Sequence, residues 1–350
     1  MLRFKIEKTG APVWLRSLIP VLALLLTFFI TSGLIIWGQA NPIRAYYYLL
    51  IAPLSTRVSA LEVLVKSTPL ILSGVAVTFA FVAGYYNIGA EGQLYAGAIA
   101  AAWLGTVLGG LPPALTIPIM LLGGFIAGAL WALPPALLRV KLAVDEVVTT
   151  LLLNSVMLFI VSALLNGPWR SPVSGWPQSP EIAPSTMLPK LVPHSRLHLG
   201  FVVAVLSVVV LWFVLSRTAF GLKMRAAGLG REAARFAGVN VGRTMLIAAL
   251  ISGGIAGVIG VSEVAGIHFH LIEEISPGYG YTGIIIATLG TLNAWGVAVA
   301  ALFFGLIDTG AQTLSRAMGV PIYLGEVTQA TMLLVTLAML LLQNYRIRRA

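Results

Sequence analysis

The sequence predicts an all-α fold: a polytopic transmembrane bundle of about ten helices with both termini in the cytoplasm. Three observations predict it. Hydrophobic residues fill 58% of the 350 positions and charged residues only 10%, against about 25% charged in a soluble domain. With a mean hydropathy of +0.94, such a chain cannot clothe a water-facing surface. The apolar residues recur to the end of the sequence in runs of about 20, the length of a membrane span. Lys and Arg stand at the ends of these runs, where they act as topology signals. The net charge of +10 therefore reports membrane sidedness rather than a groove for a nucleic-acid polymer. The absence of Cys excludes disulfides and thiol-based metal or redox chemistry.

The elements follow in order. Residues 1–16 form a basic cytoplasmic N-terminus. The run at 17–37 exceeds the roughly 7–15 residues of a signal-peptide core, so it reads as an uncleaved first helix. Further spans fall at 62–83, 90–109, 114–136, 147–165, 198–216, 244–262, 280–293, 296–314 and 327–343. The second carries Glu62 and Lys66, spaced i, i+4 in the favourable order. The eighth is short and follows Gly278 and Gly280. Prolines at 168, 172, 177, 180, 184, 189 and 193 forbid a long helix in 166–197, which reads as an extracytoplasmic loop. Residues 217–243 are basic, proline-free and rich in Ala, and read as short helices on the cytoplasmic surface. A basic tail at 344–350 closes a transmembrane domain of 17–343.

Charge asymmetry sets the orientation. With the N-terminus inside and strict alternation, the inside segments hold Arg3, Lys5, Lys8, Arg16, Arg139, Lys141, Arg217, Lys223, Arg225, Arg231, Arg235, Arg243, Arg346, Arg348 and Arg349. The outside segments hold only Arg44, Arg57, Arg170, Lys190, Arg196 and Arg316. This excess of inside Lys and Arg fits ten spans. A weak echo, Val82-Ala83-Gly84 against Val264-Ala265-Gly266, suggests an inverted repeat relating spans 2–5 to spans 7–10.

The segment Arg231-Glu232-Ala233-Ala234-Arg235 has helical composition, with Glu232 and Arg235 at i, i+3, and Gly238 and Asn240 suit a helix end. On residues alone it is either a docking element or a basic loop touching anionic lipid. The string Glu232-Ala233-Ala234, three residues, then Gly238 resembles the coupling motif of ABC importer permeases. That resemblance implies a coupling helix, comprising Arg231, Glu232, Ala233, Ala234, Gly238 and Asn240, docked in a groove of a cytoplasmic ATPase subunit. The Leu-Pro pair found later in some of these permeases is absent, since Ile251 follows Leu250. This departure points to the sugar, branched-chain amino acid and nucleoside branch.

Within Gly84–Leu94, the polar residues Asn87, Glu91 and Gln93 lie beside apolar spans, and Gly84, Gly89 and Gly92 permit close backbone approach. Glu91 either faces a cavity at membrane depth or sits at the cytoplasmic interface. The string Asn-Ile-Gly-x-Glu-Gly-Gln is similar to that of nucleoside-type permeases, which work with lipoprotein receptors of the basic membrane protein type. The stretches Glu146–Asn154 and Gly278–Ala287 agree in order. Asn87, Glu91, Gln93, Asn154, Tyr279, Tyr281 and Asp308 are the candidate substrate-pathway residues, as polar and aromatic groups placed among apolar spans. Tyr279, Tyr281, Phe269 or Trp295 would stack a base. Asp308, central in the ninth span, either lines the path or joins two helices. His268, His270, Glu273 and Glu274 read as a turn rather than a metal site.

No Lys follows a Gly, so the chain has no phosphate-cradling P-loop. Energy must come from elsewhere. The resemblance implies ATP and Mg used by separate ATPase subunits, a second permease subunit (sister or identical) and an extracytoplasmic substrate-binding lipoprotein. It places the chain in a prokaryotic cell membrane, as a transport subunit rather than an enzyme. A sugar or branched-chain amino acid permease, or an ion-coupled secondary transporter, remains the alternative at this point.

Overall fold

The computed structural model describes residues 4–8, 13–171 and 175–349; Arg3 and Pro172 lie outside them. The elements run β1 (Phe4–Lys8), α1 (Val13–Trp37), α2 (Pro42–Tyr46), α3 (Arg57–Val82), α4 (Ala90–Val107), α5 (Pro113–Leu142) and α6 (Glu146–Asn166). They continue with α7 (Gly200–Arg217), α8 (Ala219–Leu229), α9 (Arg231–Phe236), α10 (Val241–Glu263), α11 (Tyr279–Leu289), α12 (Ala294–Met318), α13 (Leu324–Asn344) and β2 (Tyr345–Arg349). Each of the ten apolar stretches falls on a helix. Among the described residues six helices are long and apolar enough to cross a membrane: α3, α5, α6, α7, α10 continued to His268, and α12.

The chain divides into two compact units, Leu64–Leu302 and the remainder on either side of it. In the flanking unit, α1 packs on α13. Here the sequence reading missed an element. Residues 42–54, assigned to a loop, are helical and bend 119° away from 24–37. The local reason is legible afterwards: Asn41 caps the turn, accepting from the Ile43 and Arg44 N–H groups, and Pro42 occupies the first helical position. Gly310 lies directly on the Leu49 carbonyl. The basic ends are also not simple tails, because β1 and β2 pair antiparallel with Lys5 opposite Arg348 and Glu7 opposite Arg346.

In the Leu64–Leu302 unit, α4, α5 and α10 form the packed centre. Gly124 and Gly128 on α5 face Gly253 and Gly257 on α10, and Gly97 on α4 meets the Gly257 carbonyl. Without side chains between them the helices approach to backbone contact, which hydrocarbon favours because packing there cannot draw on a hydrophobic driving force.

The proline-rich segment forms no long helix and straps one end of this unit. Ala183 N–H bonds to Gly105 O, Leu188 N–H to Ala265 O, Ser179 N–H to Leu271 O and Ile182 N–H to Phe269 O, at 2.8–2.9 Å. These bonds satisfy backbone groups that no regular element accommodates.

The glycine interface yields a test. An added Cβ on Gly257 would stand 2.1 Å from the Gly124 carbonyl oxygen, whereas one on Gly110 meets nothing within 4 Å. Gly257→Val is expected to destabilise by about 3 kcal/mol or more and to abolish a monodisperse detergent-extracted species. Gly110→Val should leave the melting profile unchanged.

Candidate functional site

The basic segment folds as two helices rather than one. Thr218 caps α8, accepting from Gly221 N–H at 3.1 Å. Gly230 breaks the chain in an extended conformation before α9. At the end of α9 Gly238 has φ of +80° and Val239 N–H reaches back to Ala234 O at 2.9 Å, the left-handed cap that glycine accepts most readily. Asn240 serves the next element instead, capping α10 through a bond from Arg243 N–H at 3.0 Å.

α9 has two characters. Ala234 is buried with Ala80, Tyr85, Ala136, Ala227, Val241, Met245 and Ala249. Glu232 and Ala233 are exposed, and Glu232 pairs with Arg235 at 2.9 Å on the surface. Phe236 is 96% exposed and Leu229 91%. Phe236 ends α9 and Leu229 ends α8, so each is a large apolar side chain bared at a helix end. Sequence reading passed over both, although an aromatic residue within a basic hairpin was the available signal.

Arg231 fastens α9 to the helices beside it. Its guanidinium donates to the Gly84 carbonyl at 2.7 Å and lies 3.8 Å from the buried Glu146 carboxylate, which Arg139 holds at 2.9 Å. Gly84 has φ of +73°, and its space is limited by the Gly228 backbone of α8. Burial pushes the Tyr85 phenol above its ordinary pKa, with the Glu146 charge adding to the effect.

From Gly84 the chain enters a buried polar network. The Asn87 side chain donates to Gln93 Oε1 at 2.8 Å and to Ser252 Oγ at 2.9 Å. It accepts from Gly89 N–H and from Gln93 Nε2. Asn154 on α6 accepts from Gly92 N–H at 2.9 Å, and donates to Ile88 O at 2.9 Å and the Tyr281 hydroxyl at 3.1 Å. The Glu91 carboxylate, in the first turn of α4, accepts from Gly280 N–H at 2.7 Å and bonds the Ser276 side chain. It thus lies at the N-termini of α4 and α11 together, whose dipoles both favour an anion. Gly280 permits this, since a Cβ there would strike the Glu91 backbone N at 2.3 Å.

Depth follows from helical rise. Asn154 lies eight residues into α6 and Ser252 eleven into α10, or about 12 and 16 Å from their starts. The 11 residues of α11 cover about 16 Å, half of a hydrocarbon core of about 30 Å. The network therefore sits well inside the length of these helices.

The structure thus brings together Asn87, Glu91, Gln93, Asn154, Tyr279 and Tyr281, and the polar atoms of the three amide side chains are engaged internally. Tyr279 is 8% exposed and Tyr281 40%, so of these two rings Tyr281 offers the open face. Asp308 belongs to the other unit, half-buried on α12. Phe269 takes a left-handed φ of +62°, and Trp295 is 53% exposed. His268 lies 3.8 Å from Glu263. Among the described residues no three His, Asp or Glu side chains are grouped to hold a metal ion.

Residues 59–343 match the family described as branched-chain amino acid transport system / permease component. The chain is 36% identical to a glucose ABC transporter permease protein of Haloferax volcanii, covering 96% of this chain and 91% of that one. It is 34% identical to a guanosine ABC transporter permease protein of Bacillus subtilis, covering 78% of this chain and 79% of the relative. A nucleoside ABC transporter permease protein of Lactococcus lactis subsp. cremoris is 28% identical, covering 91% and 90%.

Asn154→Leu removes the partners of Gly92 N–H and Ile88 C=O, and each buried group left unpaired costs about 1–3 kcal/mol. The variant should melt well below the parent in detergent. Ser155→Leu, on the exposed face of the same helix, should not.

Proposed function

Since the chain belongs to the permease-component family of branched-chain amino acid transport systems, we propose that it moves nucleosides across a prokaryotic plasma membrane and takes its driving force through α9. As an ABC importer permease it is a multi-pass membrane transport subunit; the ATPase is a separate subunit, and a substrate-binding protein supplies the solute.

The observation that carries the coupling reading is the divided character of α9. Ala234 and Arg231 tie it to the bundle, while Glu232, Ala233 and the bare Phe236 face outward. A partner that closes around these side chains on binding ATP and Mg pulls on α9. The pull passes through Arg231 to Gly84 and Glu146, and from there into α3, α4 and α6. Two permease subunits enclose the path. A lipoprotein receptor delivers solute to the strap at 175–199 and the turn at 263–280.

Ten spans with both ends inside are supported by two features. Segments 84–89, 139–146 and 225–243 meet at one end of the Leu64–Leu302 unit, and 105–116, 175–199 and 263–280 at the other, as alternation requires. The pairing of β1 with β2 favours an even number of crossings. The inverted repeat is supported by α4 and α11, which correspond in the two halves and meet N-terminus to N-terminus.

Nucleosides are favoured by the 87–93 string, by two of the three relatives, and by the open Tyr281 ring at membrane depth, since stacking a base on an aromatic ring contributes about 1–3 kcal/mol. Similarity to the glucose permease protein supports a sugar as the second reading.

In vesicles holding the complete importer, Glu232→Arg should insert normally yet abolish ATP-dependent uptake. Phe236→Ala should weaken ATPase-subunit binding about thirtyfold, the loss of one interface hot spot of about 2 kcal/mol. Uptake of labelled adenosine should be inhibited by unlabelled guanosine and not by glucose, ribose or leucine. Inhibition by glucose alone would transfer the assignment to sugars.

A further inference from the structure

A cavity of about 560 Å³ opens where α3, α7, α8 and the turn from α11 to α12 converge. Its wall includes Phe81, Tyr86, Trp212, Arg225, Leu229 and Asn293. Three helices long enough to cross a membrane terminate around it: α3 at Val82, α7 at Arg217 and α12 at Ala294. The mouth therefore lies at a boundary between hydrocarbon and water. Tyr86 and Trp212 are exposed there, in keeping with the preference of amphipathic rings for the headgroup level.

The electrostatics at this boundary have one sign. No Asp or Glu lines the cavity. Residues 217–231 contain Arg217, Lys223, Arg225 and Arg231 and no acid. The Arg217 guanidinium lies over the Trp212 ring at 5.9 Å. Among the described residues no carboxylate pairs with Arg225. Along α7, leading away from the cavity, Leu206, Val209 and Phe213 are exposed and form an apolar track about two helical turns long.

We propose that this cavity binds an anionic phospholipid, with the phosphodiester held by Arg225 and the acyl chains along α7. Charge complementarity selects the anion, and the apolar track selects a lipid over a free phosphate, which would leave Phe81 and Leu229 uncovered. The inference needs only that α3, α7 and α12 cross a bilayer, and it is independent of the solute carried. Its consequence is regulatory. α8 lies against the end of α3 at Gly84 and Gly228, so a lipid wedged between α7 and α8 sets the posture of the coupling segment.

The test uses the full-length chain in lipid nanodiscs, with photoactivatable phosphatidylglycerol or phosphatidylcholine as probes. Phosphatidylglycerol should label peptides containing Tyr86, Trp212 or Leu229 about fivefold more than phosphatidylcholine, the effect expected for one cation near an anionic headgroup. Arg225→Gln should remove that preference. Arg243→Gln, a basic residue outside the cavity, should retain it and so control for loss of fold or general charge. Equal labelling by the two lipids, an unchanged preference in Arg225→Gln, or labelling elsewhere would overturn the proposal. Displacement by millimolar inorganic phosphate would identify a small-anion site instead, and displacement by adenosine a solute exit; either also overturns it.

Discussion

Helices that begin inside a bilayer expose N–H groups where no water can reach them, and the answer to that problem organises this molecule. α4 and α11 both start within the helix bundle. Glu91 accepts from the first turn of α11 while occupying the first turn of α4. Asn154 answers Gly92, and Asn87 answers Gly89. An unpaired polar group in hydrocarbon costs several kcal/mol, so these side chains are fixed in identity and position. Gly280 and Gly283 are fixed by the same logic, because they allow the backbones close enough for the bonds to form.

The same network connects α9, the proposed coupling helix, to the polar cluster at 87–93. Arg231 reaches Gly84, three residues before Asn87, and Glu146, eight residues before Asn154 on α6. The two routes converge at Gly92, which Asn154 holds directly. A displacement of α9 therefore reaches the start of α4 both along the loop after α3 and through α6. The residues that satisfy the backbone at 87–93 thus also lie on the two routes from α9 to α4.

Much of this was legible in the sequence. Each of the ten apolar runs lies on a helix, although among the described residues six helices are long and apolar enough to cross a membrane, and proline density marked the strap. The Glu232–Arg235 spacing identified the surface pair on α9. The elements that escaped did so for definable reasons. Residues 42–54 are too short and too polar at Arg44 to register as a span. The pairing of chain ends joins residues more than 330 positions apart, which no local pattern encodes. Asn87 and Asn154 read as pathway residues because polarity at membrane depth signals function. The same polarity equally signals backbone repair, and only the bond directions distinguish the two.

The contact between Gly84 and Gly228 has one more implication. Most helix junctions meet through side chains, which can switch rotamer and absorb part of any movement before it travels further. Here main chain lies on main chain, with no side-chain torsion between them to take up slack. A displacement of α8 would therefore pass to the end of α3 without first being absorbed by a change of rotamer.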